Sequence, residues 1–164
     1  MRVKAGRERG SALALVPAGF LVLIVLAAIA VDSAATYLGQ QQLHDAVTAA
    51  ANDAAAAGLS NSSFYGSGAI TIDPGTANAL VCQSVGAQSY SDLHNVRLFV
   101  AVGGPAIRVE ATATVNAVFG RALPGVGGRS VRAVADAVAS GAPGGGPPRS
   151  PSSALDRASP LDCG

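Results

Sequence analysis

Few residues in this chain have chemical reach. They are two histidines (His44, His94), two cysteines (Cys82, Cys163) and ten carboxylates. Zinc sites gather their ligands in short-spaced pairs, and positions 44, 82, 94 and 163 offer no such spacing. His44 sits beside Asp45 on the polar side of a predicted helix, and His94 lies in a polar loop before a predicted strand. Both read as solvated side chains. Neither a nucleophile elbow, a P-loop nor a dinucleotide fingerprint occurs in the sequence. Asp32 directly follows a long apolar run. It is either a functional carboxylate or a charge that marks an interface, and the second is the simpler reading. Asn61-Ser62-Ser63 fits the glycosylation acceptor pattern, which recurs by chance in serine-rich loops. The expectation is a non-enzyme with no catalytic residue, no metal, no cofactor and no small-molecule substrate.

The element that places everything else is the run Ser11 to Val31, which contains no charge. At ~1.5 Å rise per residue it is long enough to cross a hydrocarbon core of ~30 Å. Arg2, Lys4, Arg7 and Arg9 precede it, opposed only by Glu8. Short basic flanks stay cytoplasmic, so the chain is expected to leave the membrane at Asp32 with everything after it extracytoplasmic. A cleaved secretory signal is the rival, because Ala28-Ile29-Ala30 is an A-x-A site. The run is long for a signal, and the residues after Ala30 continue a helical pattern, which favours an anchor. Pro17 lies inside the span, where neighbouring helices can satisfy the carbonyl it frees.

The net charge is +1, and the N-terminal flank holds four of the eleven basic residues. The remainder is slightly acidic, which leaves nucleic-acid binding without electrostatic support. Tryptophan is absent and aromatics make up 4% of the chain, so the part outside the membrane is expected to bury a modest core. Cys82 and Cys163 both fall outside, where a disulfide is permitted. Cys163 is next to last in a flexible-looking tail with no evident reason to stay near Cys82. Two unpaired cysteines are therefore expected, with a Cys82–Cys163 bridge as the alternative.

Beyond the span, Leu43, Val47, Ala50, Ala54 and Ala57 recur at helical spacing, and Gln41, Asp45, Thr48 and Asn52 recur opposite them. This predicts an amphipathic helix ending at Gly58. Its narrow apolar seam packs either on the protein's own domain or on neighbouring subunits. Residues 59–68 read as loop and Ala69–Asp73 as a short strand. Asp73-Pro74 opens a helix running to about Val85. Val96–Val102 and Ile107–Ala117 alternate as a hairpin around Gly103-Gly104-Pro105, and Val131–Ala139 is a last strand. Its alanines at 133, 135, 137 and 139 suit a face lying tightly under the long helix. From Gly141 the Gly/Pro/Ser-rich chain reads as disordered. The fold expected is α+β. Its parts are a basic flank (1–10), a transmembrane helix (11–31), an extracytoplasmic helix (32–58), a small antiparallel head (59–140) and a tail (141–164).

The stretch from Arg7 to Leu59 resembles the N-terminal segment of TadG-like and TadE-like proteins of the Flp (tight adherence) pilus system. The resemblance rests on Arg7-Glu8-Arg9-Gly10, the apolar run with Pro17, Ala30-Val31-Asp32 at its end, Tyr37 with the polar residues after it, and the alanine-rich helix from Asp45 to Leu59. It covers about a third of the chain. Processed pilins and TadE-like pseudopilins carry glutamate five residues after the cleavage-site glycine. Here Gly10 would be that glycine, and Leu15 stands in the later position. The uncleaved TadG-like form therefore fits better. The resemblance implies a pilin-like architecture and a bacterial, single-pass, structural component of pilus assembly or a related secretion apparatus. Its partners would be the inner membrane and other assembly subunits. The alternative is a secreted or anchored binding module for a small ligand or cell-wall polymer.

Overall fold

The computed structural model describes residues 9–87, 93–120, 127–139 and 159–163. Helix α1 (Arg9–Ala57) is continuous over 49 residues, through Pro17 and past Asp32. At ~1.5 Å per residue it reaches about 74 Å. Two short helices follow, α2 (Asn61–Ser67) and α3 (Pro74–Gly86). Then come strands β1 (Leu93–Gly103), β2 (Ala106–Asn116), β3 (Gly128–Val138) and β4 (Ser159–Leu161). The strands form one antiparallel sheet in the order β3-β2-β1-β4. This is an α+β layout. Among the described residues, α1 alone is long and apolar enough to cross a membrane, which is compatible with a single-pass anchor.

The two halves of α1 differ in their surroundings. From Leu15 to Val31 nearly every side chain is bare. From Gly39 onward one face is buried against β2, β3 and α3. That face consists of two rows advancing four residues at a time, Gly39-Leu43-Val47-Ala51-Ala55 and Ala46-Ala50-Ala54-Gly58. Rows of this spacing are inclined to the helix axis, so the contact stripe winds around α1 as the twisted sheet requires. The predicted seam followed alternating steps of four and three. It therefore included Ala57, which is exposed, and omitted Ala46, Ala51 and Ala55, which are buried. Leu43, Val47, Ala50 and Ala54 are buried by the protein's own head, so the seam is not open to another subunit.

Small residues bring helix and sheet close. Ala133 and Ala137 of β3 join Ala111 and Ala113 of β2 and the alanine rows of α1 in one core. At Gly39 a Cβ would stand 2.5 Å from Val115 Cγ2 and 3.3 Å from Cγ1. Val115 is buried and branched at Cβ, so it has little room to yield. Only glycine lets α1 lie this close to the end of β2. On the outer face, Arg108 binds Asp136 through Nε and Nη2 (2.7 and 3.0 Å), and Arg132 Nε meets Glu110 at 2.7 Å. Being partly exposed to solvent, these pairs contribute modestly to stability. In the β2–β3 register Arg108 stands directly opposite Asp136, and Arg132, opposite Thr112, reaches Glu110 diagonally.

Three local expectations need correction. Residues 59–68 are not all loop, since α2 occupies Asn61–Ser67. Its serines and glycines are poor helix formers, and its ends hold it. Ser60 Oγ accepts from the Ser63 N–H, and Gly68 closes it in the left-handed conformation at φ 69°. Ala69–Asp73 is no strand beyond one bridge, Leu59 to Ile72. The tail is ordered at its end, where β4 pairs with β1 through Leu98–Leu161, Phe99–Pro160 and Val100–Ser159. Residues 141–158 lie outside the described residues. In contrast, α3 opens as expected, with Asp73 Oδ2 accepting from the N–H and Oγ1 of Thr76 at 2.8 Å each.

Candidate functional site

The carboxylate of Asp32 is held by three backbone amides. It is the first residue after the charge-free run, on the face of α1 that continues toward the sheet. The segment after β2 runs back along the helix to meet it. Oδ1 accepts the N–H groups of Val118 (2.7 Å) and Phe119 (2.9 Å), and Oδ2 accepts that of Gly120 (2.9 Å). Three successive amides converging on one carboxylate form an anion-binding concavity. Here the anion belongs to the same chain, 86 to 88 residues away in sequence. The Phe119 N–H is the strongest influence holding the Asp32 carboxyl below its ordinary value. Partial burial opposes it, and the Gly120 and Val118 amides and the Arg129 charge reinforce it. Asp32 is thus a clamp that fixes Val118–Gly120, just after β2, to α1 at the end of its apolar run. The reading of Asp32 as an interface-marking charge did not include these partners.

A carboxyl whose folded value is depressed stabilises the fold fully above its unfolded value, here near 3.8, and loses that contribution as pH falls through the lower folded value. Amide protection at Val118–Gly120, measured by hydrogen exchange and corrected for intrinsic rates, should hold from neutral pH into the ordinary carboxylate range. It should fall only below that range. In Asp32→Asn these amides should already exchange faster at neutral pH, with no further loss on acidification. Equal protection in the variant would mean that the clamp does not hold the loop.

The second feature is covalent. Cys82 of α3 and Cys163, just beyond β4, form a disulfide with Cα atoms 5.4 Å apart. The expectation of unpaired cysteines is overturned. β4 aligns with β1 at the sheet edge and so delivers Cys163 to α3. No local signal near Cys163 encodes that pairing.

The third feature is a shallow polar recess of about 410 Å³ lined by Asn95, Arg97, Thr112, Thr114 and Ser130. It opens beside an irregularity in β1 between His94 and Arg97, where Asn95 takes a positive φ of 53°. Asparagine tolerates that conformation better than most residues, and the extra residue re-aims its neighbours.

The remaining sequence candidates stay apart. His44 and His94 are exposed, on α1 and β1 respectively. No group of three potential metal ligands occurs among the described residues. Arg2, Lys4 and Arg7 lie outside the described residues, Arg9 and Gly10 start α1, and Pro17 lies within it. A scan of protein-family models, of curated proteins and of solved structures finds no match to this chain.

Proposed function

We propose that this chain is a membrane-anchored structural component, a minor-pilin-like accessory of Flp pilus assembly or a related secretion apparatus. The observation that carries the reading is α1 itself, one unbroken helix that is bare along its apolar half and built into a small sheet head along the other. Such a helix makes the position of the head a function of how the span is held. The mechanism is positional, with the span gripped among other membrane helices while the head is displayed outside. The basic N-terminal flank supports an inside N-terminus. The Cys82–Cys163 bridge supports an oxidising, extracytoplasmic compartment for the head. Subunit contacts fall to surfaces the head leaves bare, namely the span and the exposed Tyr37 and Leu38 just above it.

The test is in-cell photo-crosslinking from Tyr37 and Leu38 in the native host, read with piliation of a deletion strain. Adducts with pilus-assembly subunits and loss of pili are expected. A fully piliated deletion strain with no protein adducts would refute the assignment. The polar recess beside Asn95 favours an anchored binding module instead. Saturable binding of a cell-wall glycan that is abolished by Arg97→Ala, in a strain with normal pili, would establish that second reading.

A further inference from the structure

We propose that Val118 and Phe119 form a second contact with the lipid bilayer, docking the head against the membrane beside the point where α1 emerges. The inference rests on the reading of α1 as a membrane anchor and goes beyond the assembly role.

Four observations converge on it. The Asp32 clamp fixes Val118 and Phe119 beside the first residue after the charge-free run, which is the level of the membrane surface. Although their backbones are pinned, their side chains point away from the core, 59% and 51% exposed. An apolar pair pinned by its backbone and held in the open is available to an apolar surface. Ala28 lies one turn back into the apolar run on the face of Asp32, and it is the one described position from Leu15 to Val31 that is not exposed. The covered face of α1 therefore extends past Asp32 into the span. Lastly, exposed Arg129 is near enough for its charge to act on Asp32. A basic side chain at this level suits lipid phosphates while the apolar pair enters the acyl boundary.

The bilayer is the occupant these facts favour, because the pair sits where the membrane itself must be if α1 spans it. A protein partner would need a separate reason to dock at that level. The consequence is mechanical. A head tied to the bilayer at two points holds its tilt, whereas a head on a lone helix does not.

The absence of tryptophan supplies the probe, since each single substitution then carries the only indole in the chain. Full-length Phe119→Trp is reconstituted in nanodiscs of phosphatidylcholine and phosphatidylglycerol, with lipids brominated at shallow or deep acyl positions. Ile24→Trp, within the span, reports insertion of α1. Tyr65→Trp reports the far end of the head: the native side chain is 84% exposed in α2, which follows the end of α1, and that end lies about 37 Å along the helix from Asp32. Val118→Trp replaces Phe119→Trp should the latter fold poorly. The expected result is that shallow bromine quenches the Phe119→Trp variant, deep bromine quenches the Ile24→Trp variant, and neither quenches the Tyr65→Trp variant. Quenching in the span variant without quenching in the loop variant overturns the docking proposal and leaves the anchor intact. Blue-shifted but unquenched emission from the loop variant also overturns it, because a second copy or another protein then covers the loop. Equal quenching of the Tyr65→Trp and Phe119→Trp variants overturns it as nonspecific adsorption. An unquenched Ile24→Trp variant removes the anchor and the proposal together.

Discussion

A chain cut after Ala139 should melt far below the full-length protein. The cut removes β4, its pairing with β1, and Cys163. The bridge joins residues 81 apart in sequence, and closing a loop of that length restricts the unfolded chain by on the order of 4 kcal/mol. In a domain this small, that shifts the thermal midpoint by roughly 15–30 °C. Scanning calorimetry of the detergent-solubilised protein reads the effect. The Cys82→Ser, Cys163→Ser double variant separates the bridge from the strand. It should account for most of the fall, because β4 adds only three residue pairs and a partly buried Leu161. A truncated chain that melts within about 2 °C of full length, less than ~1 kcal/mol would produce, would show that the bridge and β4 do not stabilise the head.

Much of the fold is legible from local pattern, and the exceptions share a cause. α1 is visible because its apolar run is long and free of charge and the seam that follows it recurs at helical spacing. α3 is visible because Asp73 and Pro74 announce its start. β1, β2 and β3 are visible because they alternate. α2 is hidden because serine and glycine argue against a helix that two caps then hold. The end of the tail is hidden because its order comes from a bridge to α3, and composition carries no trace of a partner so distant. Asp32 shows the same limit at the candidate site. Its place directly after the charge-free run is plain in the sequence, while its role depends on three amides contributed from beyond β2. An apolar Val118-Phe119 pair directly after an alternating strand was the available signal, and it gained meaning only when the sheet placed it against α1.

Changing Leu43 and Val47 together to aspartate should unfold the head. They are 2% and 0% exposed and are the only large aliphatic side chains in the two packed rows of α1. Two carboxylates there would face the alanines of α1 and β3 and the valines of β2, with no buried polar residue among those described to receive them. Burying even one unpaired charge costs several kcal/mol, and a small domain has on the order of 5–15 kcal/mol in all. Calorimetry should lose the cooperative transition. The control, Gln40→Asp with Gln41→Asp, adds the same charge to exposed positions on the same helix and should stay within about 0.5 kcal/mol of the parent. A cooperative transition retained by the double aspartate variant would show that the head does not cover this face in solution. The comparison also separates folding from assembly. Because the seam is occupied internally, Leu43→Met should keep both the fold and the crosslinks. Replacing Tyr37 and Leu38 with serine should keep the fold and lose piliation, since those side chains are bare in the folded chain. Assembly contacts that track Tyr37 and Leu38 while stability tracks Leu43 and Val47 are what a helix divided between two tasks requires.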